Sequence, residues 1–211
     1  LAEAVSRISC STFPELVQTQ IFDPLRMDDT WVGIPEPTHF SYGDRVAWMY
    51  NTFNGSIPDD SLNSAEAAAR VHPGGNGRGP IRELGRFYEM LLKEGEGLME
   101  PETVALFTSP HRKGMFDETF QHKIDWGLGF IVDSNHHGHE TVPYGFGRHA
   151  TLSTFGHGGS QSSAAFADPA HNLVVAVVCN GMPGEPRHNR RARDLHSAIY
   201  EDLGITSEVG K

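Results

Sequence analysis

Four stretches of the chain place apolar residues at helical intervals. Thr12-Phe13-Pro14-Glu15 opens the first as a capping box, with Glu15 three residues after the Thr12 cap and Pro14 in the first turn. Leu16, Val17 and Ile21 then share a face, which predicts a helix to about Phe22 that stops at Pro24. The second begins at Pro80, sets Ile81, Leu84, Phe87, Tyr88, Leu91 and Leu92 in one stripe, and ends at Gly95. A shorter helix follows from Pro101 and carries Val104 and Phe107 inward. The last, about Asn189–Leu203, aligns Ala192, Leu195, Ile199 and Leu203, with Gly204 as its stop.

Between the third and fourth helices the period falls to two. Trp126–Val132 alternates large and small residues as a strand does. A long loop from Asp133 to Arg148 precedes further strands over Thr151–Phe155 and Ser162–Ala167, a turn over Asp168–Asn172, and a strand over Leu173–Cys179. The last run is apolar throughout and reads as buried on both faces. Short connections predict an antiparallel sheet. Residues 33–80 are rich in Gly, Pro, Asn and Asp and read as irregular, with one short strand near Arg45–Tyr50. The interspersed Phe40, Tyr42, Trp48, Tyr50 and Phe53 either line a pocket or pin that segment to the core, and pinning is the expectation. Helices, a β-meander and a covering helix make an α+β chain. Residues 1–125 are mainly helical and irregular, and 126–211 form an antiparallel sheet flanked by helices.

Composition narrows the function classes. The 211 residues, 38% hydrophobic and 21% charged, suit one domain or a large piece of one. No apolar run approaches the roughly 18 residues of a membrane helix. The chain opens at Leu1 with no leader pattern, so the expectation is that it was processed or that an upstream part precedes it; export of the parent stays open. A net charge of −10 argues against nucleic acid as a partner. Arg187, Arg190, Arg191 and Arg193, interrupted by Glu185 and Asp194, read as a solvated helix face. Cys10 and Cys179 read as small buried hydrophobes rather than a disulfide.

The sharpest chemical feature is Phe155-Gly156-His157-Gly158-Gly159-Ser160. A histidine flanked by glycines at a strand edge leaves the backbone bare for close approach. Such a histidine could position a carboxylate or relay a proton, and the N–H groups after it could face an oxyanion. His136, His137 and His139, followed by His149 and His157, raise a metal site as a rival, but zinc sites usually show better-ordered spacing. No metal and no cofactor are expected. Gly75-Asn-Gly77-Arg-Gly79 lacks the Gly-Lys-Ser/Thr of a phosphate loop and reads as loop.

Five segments in order carry a resemblance to the serine β-lactamase and penicillin-binding DD-peptidase superfamily, which includes class C β-lactamases, related esterases and D-aminopeptidases. Ile21–Trp31 resembles its "PLGM-x-x-T" element, Arg82–Lys93 its "D-L-x-x-F" helix, and Pro101–Thr108 its "S-P-E-T-V-x-x-M" helix. Trp126–Phe130 resembles its "Y-G-L-G-W" strand, and His157-Gly158-Gly159-Ser160 falls where the family has Lys-Thr-Gly or His-x-Gly. The resemblance covers about Phe13 to Leu203 and implies a β-lactamase/transpeptidase-like fold. It also implies a serine acyl-enzyme mechanism on a small-molecule or peptide substrate. Carried over, His157 sits beside a relay tyrosine and the substrate carboxylate. Gly158 and Gly159 allow close approach, and the Ser160 N–H donates to the oxyanion.

The departures are as informative. Three residues before Lys93, Lys113, Lys123 and Lys211 stand Met90, Pro110, Phe120 and Glu208, so the nucleophile motif Ser-x-x-Lys is absent. The tyrosines are followed at the second position by Asp44, Thr52, Met90, Phe146 and Asp202, so Tyr-x-Asn is absent too. Family members carry both upstream of the capped helix. The chain is therefore expected to be the C-terminal part of a serine hydrolase, inactive alone, whose partner is the upstream segment of the same protein. Histidine in place of lysine leans toward the peptidase and esterase branches, because a neutral imidazole anchors a carboxylate less strongly. The alternative is a binding or interaction protein that keeps the fold without catalysis.

Overall fold

The structure, a computed structural model, describes residues 1–206; Glu208 and Lys211 lie outside the described residues. It divides into two compact units, Leu1–Phe87 with Cys179–Met182, and Tyr88–Val178 with the residues from Pro183 on. Among the described residues no helix is long and apolar enough to cross a membrane.

The first unit opens with α1 (Ala2–Ser9), which ends at Cys10 in a left-handed conformation, φ 55°. That cap leaves Cys10 exposed rather than buried, and both cysteines are free thiols. α2 (Phe13–Val17) starts on the expected capping box: Thr12 Oγ1 accepts from the Glu15 N–H at 3.4 Å, and Glu15 Oε2 accepts from the Thr12 N–H at 2.9 Å. The helix widens into a π-turn over Gln18–Phe22, closed by Asp23 N–H on the Gln18 carbonyl at 2.9 Å, and stops before Pro24.

Residues 31–78 are more ordered than their composition suggests. They form β1 (Trp31–Val32), α3 (Glu36–Tyr42), β2 (Tyr50–Asn51), β3 (Ile57–Pro58), α4 (Asp60–Asn63), α5 (Ala65–Ala69) and β4 (Gly77–Arg78). The strand expected over Arg45–Tyr50 shrinks to β2, because Gly43 at φ 50° turns the chain into a 3-10 stretch through Arg45. The short helices stand on side-chain caps: Asp59 accepts from the Ser61 N–H and Ser64 from the Ala67 N–H. The pinning role fits Tyr42, whose hydroxyl accepts from Trp31 Nε1 at 3.0 Å and donates to Asp29 at 2.8 Å. It does not fit Phe40, Trp48 and Phe53, each more than half exposed. α6 (Ile81–Leu92) matches its predicted span, and Gly95 leaves it at φ 99°. Its Glu83, 2% exposed, accepts from the Asp29 N–H at 3.1 Å and from Thr30 Oγ1 at 2.6 Å.

In the second unit α7 (Pro101–Thr108) buries Val104, and β5 (Phe116–Asp117) pairs with β6 (His122–Lys123). β7 (Asp125–Trp126), β8 (Ile131–Val132), β9 (Phe155–Gly159), β10 (Ser163–Asp168) and β11 (Leu173–Val178) form an antiparallel sheet in the order β11-β10-β9-β8-β7. β12 (Gly181–Met182) belongs to the first unit, where it runs parallel to β2. α8 (Glu185–Asp202) closes the order.

Three strand expectations are corrected. Trp126–Val132 is a hairpin rather than one strand: Gly129 takes φ 87° and Gly127 N–H bonds the Phe130 carbonyl at 2.9 Å, so Leu128 and Gly129 make a tight turn. Thr151–Thr154 is a turn, closed by Thr154 N–H on Thr151 O, and the strand begins at Phe155. Leu173–Val178 is not buried on both faces; it is the edge of the sheet, and only Val175 is buried. α8 begins four residues before its predicted start, with Pro186 in the first turn. It ends as expected at Gly204, where Ile205 N–H bonds Tyr200 O and Gly204 N–H bonds Glu201 O. Its arginines are not simply a solvated face. Arg193 donates to the Val142 carbonyl at 3.0 Å and Arg191 to the Gln161 carbonyl at 3.2 Å.

The core of this unit joins Ile131, Phe166 and Val175 of the sheet to Ile124, Val142, Phe146 and Tyr200. The Phe166 and Tyr200 rings stack at 6.2 Å and neither is exposed. Each such side chain contributes about 1.5–3 kcal/mol through burial.

Asp133, 3% exposed beside this core, accepts one N–H, from Asn135, and its Oδ1 has no described partner. Burial, with Asp168 and Asp125 adding to it, pushes its carboxyl up to about 7. The folded chain then holds this proton more tightly than the unfolded chain. Stability is full below the ordinary carboxyl range and falls as pH rises through it toward about 7. Asp133→Asn is expected to remove that fall, which is on the order of 4 kcal/mol. Urea unfolding of both proteins from about pH 4 to about pH 8 reads it directly, and parallel curves would contradict it.

Candidate active site

β9 carries the histidine-glycine motif through the middle of the sheet. On one side it pairs with β10 along its whole length, from Phe155↔Ala167 to Gly159↔Ser163. On the other it pairs with β8 only at Phe155 and Gly156, because β8 begins at Ile131 after the Leu128–Gly129 turn. From His157 to Gly159 that edge has no neighbouring strand among the described residues. The Tyr88 hydroxyl, buried at the end of α6, takes the His157 backbone N–H, and burial raises its pKa despite that bond.

The His157 side chain is exposed and its Nδ1 donates to the Gly158 carbonyl at 2.7 Å. In the neutral ring this tautomer leaves Nε2 as a lone pair facing outward. The ring lies 5.7 Å from Trp126, and Trp126 Nε1 donates to Asp117 Oδ2 at 3.2 Å. Asp117 is in turn paired with Arg112 and accepts from the Thr119 and Phe120 N–H groups. Backbone and an ion pair thus hold Trp126, whose ring lies tilted beside the imidazole.

The glycines meet protein. A Cβ on Gly158 would overlap the Tyr144 ring, and one on Gly159 would overlap Ser163 Oγ. The bare backbone expected to admit a ligand therefore admits Tyr144 first. Tyr144 sits at φ 54°, an uncommon conformation for an aromatic residue. α8 holds it there: Asn189 Oδ1 accepts its N–H at 3.1 Å, and its hydroxyl donates to Glu185 Oε2 at 2.8 Å. Burial first, then the Glu185 carboxylate, push the Tyr144 pKa up, so the phenol stays protonated.

Ser160 lies in the turn from β9 to β10, its hydroxyl 3.4 Å from Glu185 Oε1. The same turn is fastened to the start of α8 by Gly184 N–H on Gln161 Oε1 at 2.7 Å and by Arg191 on the Gln161 carbonyl. His157, Gly158, Gly159 and Ser160 are thus brought together on one strand and its turn. Trp126, Tyr144, Glu185 and Tyr88 join them and were not among the sequence candidates. Trp126 was legible as part of a strand motif. Tyr144 and Glu185 meet across 41 residues, and no local pattern signals that.

A family model described as Beta-lactamase matches residues 1–199. Among curated proteins, N-acetylmuramyl-L-alanine amidase of Bacillus subtilis (strain 168) is 23% identical over 196 residues, taking in 83% of this chain and 41% of the amidase. Among solved structures, unliganded simvastatin synthase from Aspergillus terreus matches 99% of this chain and 54% of its own, at a TM-score of 0.74 and 18% identity. A penicillin-binding protein homologue from Caulobacter crescentus matches 92% of this chain and 55% of its own, at a TM-score of 0.60 and 26% identity. The chain spans less than two thirds of each of these relatives.

Gly158→Ala is expected to cost about 1–3 kcal/mol, the usual penalty of overpacking, because Tyr144 is held by α8 and cannot withdraw. Tyr144→Leu should recover part of that loss, so a double-mutant cycle by urea unfolding gives a non-additive total. Additive costs would mean that Tyr144 does not fill the space beside Gly158.

Proposed function

Because this chain belongs to the Beta-lactamase family, and shares its fold with simvastatin synthase and a penicillin-binding protein homologue, we propose that it supplies the substrate-strand side of a serine acyl-transfer site. The nucleophile is carried by an upstream segment of the same protein. The open edge of β9 from His157 to Gly159 carries this reading, in a chain whose sequence holds neither Ser-x-x-Lys nor Tyr-x-Asn.

The substrate, an ester, a peptide or a β-lactam, lies along that edge and completes the sheet where β8 stops. A serine from the upstream segment attacks its carbonyl carbon. The Ser160 N–H donates to the oxygen as it gains charge, and the leaving group departs with a proton to give the acyl-enzyme. Water or another acceptor then takes the acyl group. With Nδ1 donating to the Gly158 carbonyl, His157 meets the carboxylate end of the substrate through an Nε2–H that only the imidazolium form carries, and the Trp126 ring lies beside it. Because a neutral imidazole attracts a carboxylate less than an ammonium does, the peptidase and esterase branches are favoured. Exposed Phe40, Trp48, Phe53 and Ile57 in the first unit support a missing segment, since large apolar groups left in water suit a surface that something else covers.

Labelling with a fluorophosphonate and with a fluorescent penicillin tests the proposal. The 211-residue chain alone is expected to take no label, and the longer protein that includes the upstream segment is expected to label. In the longer protein His157→Ala should slow labelling about 100-fold, the lower range for loss of a positioned proton-transfer or anchoring group. Labelling of the 211-residue chain itself would overturn the division of the site. A longer protein that stays unlabelled would return the chain to the non-catalytic binding reading.

A further inference from the structure

A second cluster of chemically active side chains lies outside the β9 site. Asp125 of β7 and the adjacent His136 and His137, on the 3-10 turn Asn135–His137, bring three donor groups within 4.8 Å of one another. His137 Nε2 is 3.0 Å from Asp125 Oδ1, and His136 Nε2 is 3.3 Å from Asp125 Oδ2. We propose that Asp125, His136 and His137 form a binding site for a divalent transition-metal ion of the zinc class, a role independent of the acyl-transfer reading.

The spacing fits. Two donors bound to one ion at about 2.1 Å stand about 3.0–3.4 Å apart when they subtend a right or tetrahedral angle. The donor set is two imidazoles and one carboxylate, which suits Zn²⁺, Co²⁺, Ni²⁺ or Fe²⁺ and not Mg²⁺ or Ca²⁺, which take oxygen ligands. His137 Nε2 is hydrogen-bonded to Asp125 Oδ1, and His136 Nε2 stands beside Oδ2. On metal binding each ring keeps one proton, moved to Nδ1, and offers the Nε2 lone pair.

Both arms of the site are anchored by groups that a mere surface histidine pair would not need. Asp125 Oδ1 accepts the Gly114 N–H at 2.7 Å, which orients the carboxylate. The Asp125 N–H donates to Ser134 Oγ, and Ser134 Oγ donates to the Val132 carbonyl, each at 2.9 Å, so one buried serine fixes β7 against the start of the histidine turn. Asn135 Nδ2 secures the same turn to the Gly147 carbonyl at 2.9 Å. Access is graded: the side chains of Asp125 and His137 are 8% and 13% exposed, whereas His136 is 46% exposed. The ion thus has a closed protein side and an open side where water completes its coordination. His139 is not part of the set; its ring faces Glu140 at 3.7 Å.

Equilibrium dialysis of the tag-free 211-residue chain against Zn²⁺ should give one ion bound per chain at micromolar free metal, unaffected by excess Mg²⁺. Bound Co²⁺ should give the intensified visible absorption of a low-symmetry site with nitrogen and oxygen donors. His137→Ala and His136→Ala should each weaken Zn²⁺ binding by at least about tenfold, no less than the loss of an outer-shell partner costs. His139→Ala should bind as the parent does. His136 is half exposed, so its variant keeps the fold, and circular dichroism verifies that. No Zn²⁺ uptake by the parent chain would overturn the site, as would uptake that His136→Ala and His137→Ala leave unchanged.

Discussion

Asp168, wholly buried at the end of β10, accepts hydrogen bonds from Thr151 Oγ1 at 2.6 Å, Tyr200 at 2.8 Å, His171 at 3.0 Å and the Thr151 N–H at 3.2 Å. These donors come from the turn leading into β9, from α8 and from the turn into β11. Burial alone would raise its pKa, but the donors, Thr151 first among them, more than reverse that and keep the group charged. A carboxylate without these partners would not remain in such a place. Because it has them, the chain entering β9 and the chain leaving β10 are tied together at the open end of the hairpin. The contribution is present above the ordinary carboxyl range and is lost only as pH falls through the lowered folded-state pKa. Asp133, raised instead of lowered, works in the opposite sense: its contribution is lost as pH rises from the ordinary carboxyl range toward about 7.

What the sequence made legible is what a short stretch of chain decides by itself. The Thr12–Glu15 box, the stripe of α6 with its Gly95 stop, and the Gly204 end of α8 depend on residues within one or two turns, and each stands in the structure. What escaped depends on partners far along the chain. Leu173–Val178 has the composition of a central strand, and its place at the edge is set by where the meander ends. Trp126–Val132 alternates like a strand, yet Gly129 at φ 87° folds it back on itself. Composition could not foresee that Arg193 would reach the Val142 carbonyl or that Asp125 would meet His136 and His137.

The candidate site shows the same division. The order of motifs along the chain brought out His157 to Ser160, and the structure gathers them on β9 and its turn. The support beneath them was not visible. Trp126 under the imidazole, Asp117 behind Trp126, and Tyr144 beside Gly158 each depend on a contact that only the folded chain makes. A motif thus names a short run of groups on one strand. Their rigidity comes from residues that no motif contains.

The short β8 has a consequence for evolution of the site. It stops at Ile131 because a two-residue turn follows β7, and the free edge of β9 begins where β8 stops. Adding one residue to each arm of that hairpin would extend β8 to pair with His157 and close the edge without altering any residue of the motif. On the proposed reading of β9 as a substrate edge, the length of this hairpin sets how much of that edge is open. Under that proposal, insertions or deletions in the hairpin change the length of free edge without touching the His157–Ser160 motif.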